Sequence, residues 1–169
     1  MQIGRLIRHA AQTQWRTRMM FPGATLDAIE QAIARAEQTH AGEIRFAIES
    51  ALSPLPLLNN AAPRARAMEV FSHLRVWDTE RNIGVLIYVQ LADRAVEIVA
   101  DRGFEGRVGA AEWEGICRLM EEHFRARRFQ AGSIAGVDAI SNLLSRHFPA
   151  SVRESSQSHN ELPDRPTLL

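Results

Sequence analysis

Residues 83–101, with the sequence IGVLIYVQLADRAVEIVAD, are the stretch that decides the fold. The first part, up to Leu91, is apolar almost throughout, as in a central strand covered on both faces. The tripeptide ADR at 92–94 makes a tight connection, and beyond it apolar and polar residues alternate from Val96 to Asp101. Alternation with a period of two is typical of a strand. The stretch therefore predicts two strands that pair antiparallel through a short hairpin.

The sequence on either side of this hairpin predicts one more strand and four helices. Apolar residues alternate from Ile44 to Ile48 and predict the first strand. A helix opened by Pro63 separates that strand from the hairpin, and a right-handed crossover of this kind makes the first two strands parallel. Apolar residues at helical spacing predict three more helices, over 25–42, 113–124 and 134–148. The predicted fold class is α/β, a three-layer α/β/α sandwich with a small mixed β-sheet.

Length and composition restrict the class of protein. The chain has 169 residues, of which 46% are apolar and 24% are charged, so it fits one globular domain. Its apolar runs fall far short of the roughly 20 residues needed to cross a bilayer. The single cysteine, Cys117, cannot form an internal disulfide, and no secretory leader precedes the predicted fold. We therefore expect a cytoplasmic protein.

Charge and composition divide the chain into an arm, a body and a tail. Lys and Arg together number 20, as do Asp and Glu, and this balance disfavours a nucleic-acid partner. The start of the chain is basic and could form an amphipathic helix that touches a membrane surface or a partner, the alternative being a frayed, solvated terminus. The end is rich in Ser, Pro, Asn and charge. We expect a basic arm at 1–22, a folded domain at 23–149 and a disordered tail at 150–169.

Acidic residues gather at one rim of the predicted sheet, where the first two strands begin and the third ends. Glu43 begins the first strand, Asp78 and Glu80 precede the second, and Asp101 follows the third. Clustered carboxylates are hard ligands that suit Ca²⁺ or Mg²⁺. These four residues are therefore the candidate metal ligands, with calcium or magnesium as the cofactor. The alternative is a solvated face on which the acids cap turns and pair with neighbouring arginines.

The opposite rim lies at the carboxyl ends of the parallel strands, where open α/β sheets usually bind ligands. Arg64 and Arg66, at a helix N-terminus, could hold a phosphate or carboxylate there. The alternative is ordinary salt bridging, for example of Asp93 with Arg94 or Arg66. The sequence contains no glycine-rich phosphate loop, dinucleotide-binding motif or nucleophile elbow. These patterns leave the catalytic residues unknown.

Four short motifs in the same order resemble the TPM domain family: Gly42-Glu43-Ile44, Asn82 to Ile87, Asp93-Arg94 in the hairpin, and Phe124 to Gly132. The likeness covers residues 25–149 and implies an α/β/α sandwich, phosphatase activity and, in some members, calcium binding. Asp93 and Arg94 match a family motif that usually has two acids before the arginine, and Ala92 stands in place of the first. The segment from Trp77 to Glu80 is similar to a bacterial stand-alone form of the domain.

Two hypotheses about function follow from the acidic rim and the resemblance. The first is a non-catalytic module that binds calcium or a partner and is associated with membrane protein function. In this hypothesis the basic arm contacts a membrane protein or a membrane surface, at the periphery of the inner membrane. The alternative is a metal-dependent phosphatase acting on phosphate esters, with Asp78, Glu80 and Asp101 as ligands and Glu43 as the base. The lack of a catalytic signature favours the first hypothesis.

Overall fold

The computed structural model describes residues 4, 5, 7, 9, 12, 14–52, 62–150 and 160–169, and the elements below are those of this part of the chain. The α-helices are α1 (Gln14–Met20), α2 (Gly23–Ala36), α3 (Pro63–His73), α4 (Ala110–Arg125) and α5 (Phe129–His147). The strands are β1 (Glu43–Glu49), β2 (Gly84–Gln90), β3 (Ala95–Ala100) and β4 (Thr167–Leu168), and a 3-10 helix spans Arg102–Phe104.

The strands form one mixed sheet in the order β3-β2-β1-β4. β1 and β2 are parallel, with Glu43 opposite Gly84 and Glu49 opposite Gln90. β2 and β3 are antiparallel, and the hairpin between them bends at Arg94, whose φ of 56° lies in the left-handed region. The crossover through α3 and the short hairpin thus set the strand directions that the sequence predicted.

Helices cover both faces of the sheet, because successive residues of each strand point to opposite sides. On one face, Phe46 and Ile87 belong to a large apolar core shared with α2, α4 and α5. On the other face, Ala47 and Leu86 pack against α3 and against Leu162 from the end of the chain. Every residue of β1 and β2 is buried, which explains the unbroken apolar run in the hairpin sequence. The predicted α/β/α sandwich is confirmed.

Two glycines allow α5 to lie close to α4. A Cβ atom at Gly136 would lie 2.3 Å from Met120 Sδ, and one at Gly132 would lie 2.6 Å from His123 Cβ. Glycine weakens a helix in isolation. Here the missing side chains let two helices on the same face of the sheet approach each other.

The end of the chain departs from the expected disordered tail. Residues 160–169 pack against the body, and residues 151–159 lie outside the described residues. β4 pairs parallel with β1, and Leu162 is buried. The Arg45 side chain donates hydrogen bonds to the carbonyl oxygens of Pro163 and Arg165 and to Thr167 Oγ1. The composition of residues 160–169 does not reveal that they pack on the body. Their packing depends on the pairing of a two-residue strand with the edge of the sheet and on one arginine of β1.

The basic arm is partly packed on the body. His9 and Thr17 are buried, and Phe21 belongs to the large core. Trp15 and Ile7 are exposed, whereas Ile3, Leu6, Arg8 and Ala10 of the expected amphipathic helix lie outside the described residues. Among the helices that the structure describes, none has the length and apolar content to cross a membrane.

Candidate functional site

The four carboxylates predicted to bind a metal ion do lie where β1 and β2 begin and β3 ends. Glu43 Oε2 accepts a hydrogen bond from the Leu162 backbone N–H at 3.2 Å. Asp101 Oδ1 accepts the Arg102 backbone N–H at 2.7 Å and caps the 3-10 helix, while its Oδ2 is buried without a hydrogen-bond partner. Asp78 and Glu80 are exposed in the turn before β2.

Glu43 lies among acids other than the predicted ones. Burial, together with the negative charges of Glu43 and Asp164, raises the pKa of Glu37 to about 9. Burial also raises the pKa of Glu43, with added repulsion from Glu161 and Asp164. Within the part of the chain that the structure describes, no three His, Cys, Asp or Glu side chains are grouped so that they could hold a metal ion. Glu43, Asp78, Glu80 and Asp101 are therefore not assembled into a ligand set.

At the opposite rim, Glu49 at the end of β1 is a buried carboxylate held by partners from two elements. Arg66 of α3 donates to it from Nη2 at 2.9 Å and from Nε at 3.1 Å. The Tyr88 hydroxyl of β2 also donates to Glu49 Oε2. The hydrogen bonds to Glu49 raise the pKa of Arg66, and burial raises the pKa of Tyr88. Arg66 is thus committed to a carboxylate within the chain.

Arg64, the other arginine of the expected anion site, is also engaged. Its Nη1 donates to the Ile98 carbonyl oxygen and lies 3.8 Å from a Glu97 carboxylate oxygen. Because Arg64 and Arg66 point to different strands, they do not form the two-arginine anion site that the sequence allowed.

Asp93 in the hairpin is held by the basic arm. Arg5 donates to the Asp93 carboxylate from Nη2 at 2.7 Å and from Nε at 3.0 Å. His9 Nδ1 accepts the Leu52 backbone N–H at 3.0 Å, so the His9 proton lies on Nε2, which donates to Asp93 Oδ1 at 3.1 Å. Burial opposes ionisation of Asp93, but the hydrogen bonds from Arg5 and His9 outweigh it and lower the pKa of Asp93. We call this arrangement of Arg5, His9 and Asp93 the arm clasp.

The arm clasp replaces the expected ion pairs of Asp93. Arg66 is bound to Glu49, and Arg94 is exposed and has no side-chain partner in the described part of the chain. A second polar contact extends the attachment of the arm, because the hydroxyls of Thr17 and Ser50 are 2.8 Å apart. The sequence did not reveal the clasp, since its partners are 88 and 84 residues apart along the chain.

Cys117 has the environment of a structural thiol. It packs against the large core, and burial raises its pKa to about 11, with a contribution from the charge of Glu97. A nucleophilic cysteine needs a lowered pKa. The thiol of Cys117 is therefore a poor nucleophile at neutral pH.

An open groove of about 940 Å³ lies between the end of α1 and the first turns of α5. Its apolar lining comes from Met19, Met20, Phe129 and Ile134, and its charged lining from Arg127, Arg128 and Asp138. We call it the methionine groove. Phe129 is fixed there by the rings of Phe21 and Phe124, with centroids 5.4 and 5.5 Å away.

The arginines of the methionine groove pair with no acid in the described part of the chain. Arg127 and Arg128 are exposed, and neither makes a side-chain hydrogen bond or ion pair within the described ranges. Sequence reasoning missed this surface. The adjacent pairs Met19-Met20 and Arg127-Arg128 were the available signals, but only the fold brings two segments more than 100 residues apart onto one groove.

Comparison with known proteins gives one matching family and similar solved structures. A family model described as the TPM domain matches residues 17–143. The NMR structure of the BA42 protein from the psychrophilic bacterium Bizionia argentinensis is 27% identical, with a TM-score of 0.75 over 88% of this chain and 95% of that one.

A more distant likeness supports the fold alone. The solution NMR structure of the N-terminal domain of a P. gingivalis protein is 19% identical, with a TM-score of 0.59 over 84% of this chain and 82% of that one. No curated protein matches the chain.

Proposed function

The chain belongs to the TPM domain family, and on that premise we propose that it is a non-catalytic module that binds a protein partner. One observation carries the proposal: the buried carboxylates where ligands usually bind are already paired within the chain. Glu49 is paired with Arg66, and Asp93 is paired with Arg5 and His9. A carboxylate bound in this way is not free to act as a metal ligand or a general base.

The residues present do not fit the divalent cation that the family resemblance implies. Asp93 faces the guanidinium of Arg5, and Ala92 occupies the position of the first of the two acids in the family motif. Hard cations require several oxygen ligands. In this chain an arginine lies where a cation would have to approach Asp93, so no step of the proposed function passes through a metal ion.

The alternative, a metal-dependent phosphatase, finds less support in the site. Metal-assisted attack by water needs a ligand set that holds the ion beside the phosphate. Asp78 and Glu80 are exposed, Asp101 caps a 3-10 helix, and these three proposed ligands are not grouped so that they could hold an ion. Glu43, the proposed base, accepts a backbone hydrogen bond from the C-terminal segment.

The partner that we propose is a membrane protein, approached from the side of the basic arm. The arm clasp holds the arm against the hairpin while α1 presents Trp15 and Met19 to solvent, 69% and 63% exposed. Large apolar side chains at this exposure next to arginines are typical of a contact surface.

A thermal melt and a hydrolysis assay, each in chelator, Ca²⁺, Mg²⁺ and Mn²⁺, test whether the module is non-catalytic. An ion at about 100 times its Kd would add roughly 2.7 kcal/mol to the free energy of unfolding, or about 5 to 10 °C in Tm. We expect no shift with any ion and no hydrolysis of p-nitrophenyl phosphate above the rate in buffer. Hydrolysis that a chelator abolishes, or a Ca²⁺ response that Asp93→Asn removes, would contradict the proposal.

A further inference from the structure

We propose that the methionine groove holds an acidic, amphipathic segment of a protein partner. The inference rests on the proposed binding function and adds to it the surface and the chemistry of the occupant. Its basis is the combination of an apolar lining with two arginines on the same groove, Arg127 and Arg128, that are unpaired among the described residues.

The apolar lining suits a segment with one hydrophobic face. Met19 and Met20 are flexible and polarisable, so they can adapt to side chains of different shape. Phe129 is held in place by two other rings, which gives the groove one rigid wall. Trp15, one helical turn before Met19, extends the apolar surface along α1. A groove of this composition resembles those that receive the apolar face of an amphipathic helix.

The charges around the groove select an acidic partner. Arg127 and Arg128 stand on the α5 side without an ion pair in the described part of the chain. On the other side, the α1 residues that line the groove are Met19 and Met20, and α1 contributes no acidic residue. Among the described residues that line the groove, Asp138 is the single acid. Complementary charge of this kind steers a partner to its site and rejects partners of the same sign.

Shape favours a protein segment over a membrane surface. The groove lies between two helices, with four large apolar side chains beside Arg127 and Arg128. A bilayer presents a broad, flat surface, and proteins that lie on it insert a convex apolar helix face between headgroups. A single chain segment can lie between α1 and α5, with its apolar side on the methionines and its acids beside the two arginines.

The test starts from a library of random 16-residue peptides displayed on phage and selected against the full chain. We expect the selected peptides to be enriched in Glu and Asp together with Leu, Ile and Phe. Synthetic copies with a fluorescent label then give a Kd by anisotropy, and the Kd should rise as salt screens the arginines. Vesicles of phosphatidylglycerol and phosphatidylcholine are tested in parallel by sedimentation.

Charge reversal in the groove gives the decisive measurement. The double variant Arg127→Glu/Arg128→Glu should weaken binding of the acidic peptides by about tenfold or more. It should also bind copies in which the acids are replaced by Lys more tightly than the wild type does. The matched control is Arg35→Glu/Arg75→Glu, which makes the same change in net charge at exposed positions outside the groove and should leave the Kd unchanged. Arg75 also matches the positive φ of Arg127, 52° against 58°.

A second pair of variants tests the apolar lining. Met19→Ser should weaken peptide binding, whereas Met68→Ser, a methionine 56% exposed on α3, should not. If the peptides bind the charge-reversal variant and Met19→Ser with the Kd of the wild type, this inference is overturned while the binding function stays in place. A selection that yields no enrichment in acidic and apolar residues would also overturn it. So would sedimentation of the wild type with the vesicles, if the charge reversal abolishes that sedimentation. Metal-dependent hydrolysis is the separate outcome that would defeat the proposed function.

Discussion

Glu37 is a buried acid that carries a proton at neutral pH. Burial and the charges of Glu43 and Asp164 together raise its pKa to about 9. Its Oε1 accepts the Ile44 backbone N–H at 2.8 Å, so the carboxyl ties the end of α2 to the start of β1. The unfolded chain would release this proton at a pH of about 4.3. Unfolding in the range between these values therefore releases a proton.

The Glu37→Gln variant should lose less stability than the wild type as the pH rises. In the wild type the folded state keeps the proton, so the free energy of unfolding falls as pH rises, by up to about 1.4 kcal/mol per pH unit. The amide of Gln can still accept the Ile44 N–H but does not titrate. Denaturant unfolding from about pH 7.5 to about 9 should show a smaller loss in the variant, in a range where His40 is neutral in both states.

The control for Glu37 is Glu114→Gln, which removes a carboxyl that is 67% exposed. This variant should keep the slope of the wild type. Equal slopes for the wild type and Glu37→Gln would show that Glu37 is ionised in the folded state.

The predicted metal ligands show what the sequence can and cannot say about single residues. Topology correctly placed Glu43, Asp78 and Asp101 on one rim, because each lies at the end of a predicted strand or just before one. It could not say where each carboxylate points. The hydrogen-bond donor to Glu43 is the Leu162 N–H, and the charge that repels it is that of Asp164, both in the segment expected to be disordered.

At the scale of elements, the strands and helices with a clear apolar period were the ones that the sequence predicted best. β1, β2 and β3 and the four larger helices follow from apolar spacing, since each buries a face that its own residues define. β4 and α1 were not predicted as packed elements, because they are short and held by contacts from far along the chain. Short elements carry too few residues for a period to appear.

β3 is an edge strand whose outward backbone groups are occupied by side chains. Arg64 of α3 donates to the Ile98 carbonyl oxygen. Glu121 of α4 accepts the Val96 N–H at 3.3 Å. Because both groups face away from β2, they would otherwise be free to pair with another strand. Charged residues from both helical layers thus block this edge.

The arm clasp predicts that the hairpin controls the mobility of the arm. Asp93→Ala removes the acceptor of Arg5 and of His9, so His9 should hold the Leu52 amide less well. We expect hydrogen exchange at the Leu52 N–H to be faster by about tenfold or more. The control is Arg94→Ala in the same hairpin, which removes an exposed side chain and should leave that exchange unchanged. Unchanged protection in Asp93→Ala would mean that the clasp does not fasten the arm.

The whole molecule buries the two faces of its sheet by different means. The face under α2, α4 and α5 is covered by apolar side chains. The face under α3 also buries Glu43, Arg45 and Glu49, all from β1. Burying a charge is costly unless a partner is provided. α3 supplies the partner of Glu49, and the C-terminal segment supplies those of Glu43 and Arg45.

Deleting residues 160–169 should therefore destabilise the entire fold. Arg45 would lose the carbonyl and hydroxyl acceptors that the segment provides, and the apolar layer would lose Leu162. We expect a loss of about 3 kcal/mol, or about 5 to 10 °C in Tm. Adding Arg45→Met to the deletion should restore part of the lost stability, because no buried guanidinium then remains. Arg165→Gln in the full chain breaks only exposed ion pairs and should change little. A deletion that melts like the wild type would mean that the segment does not stabilise the fold.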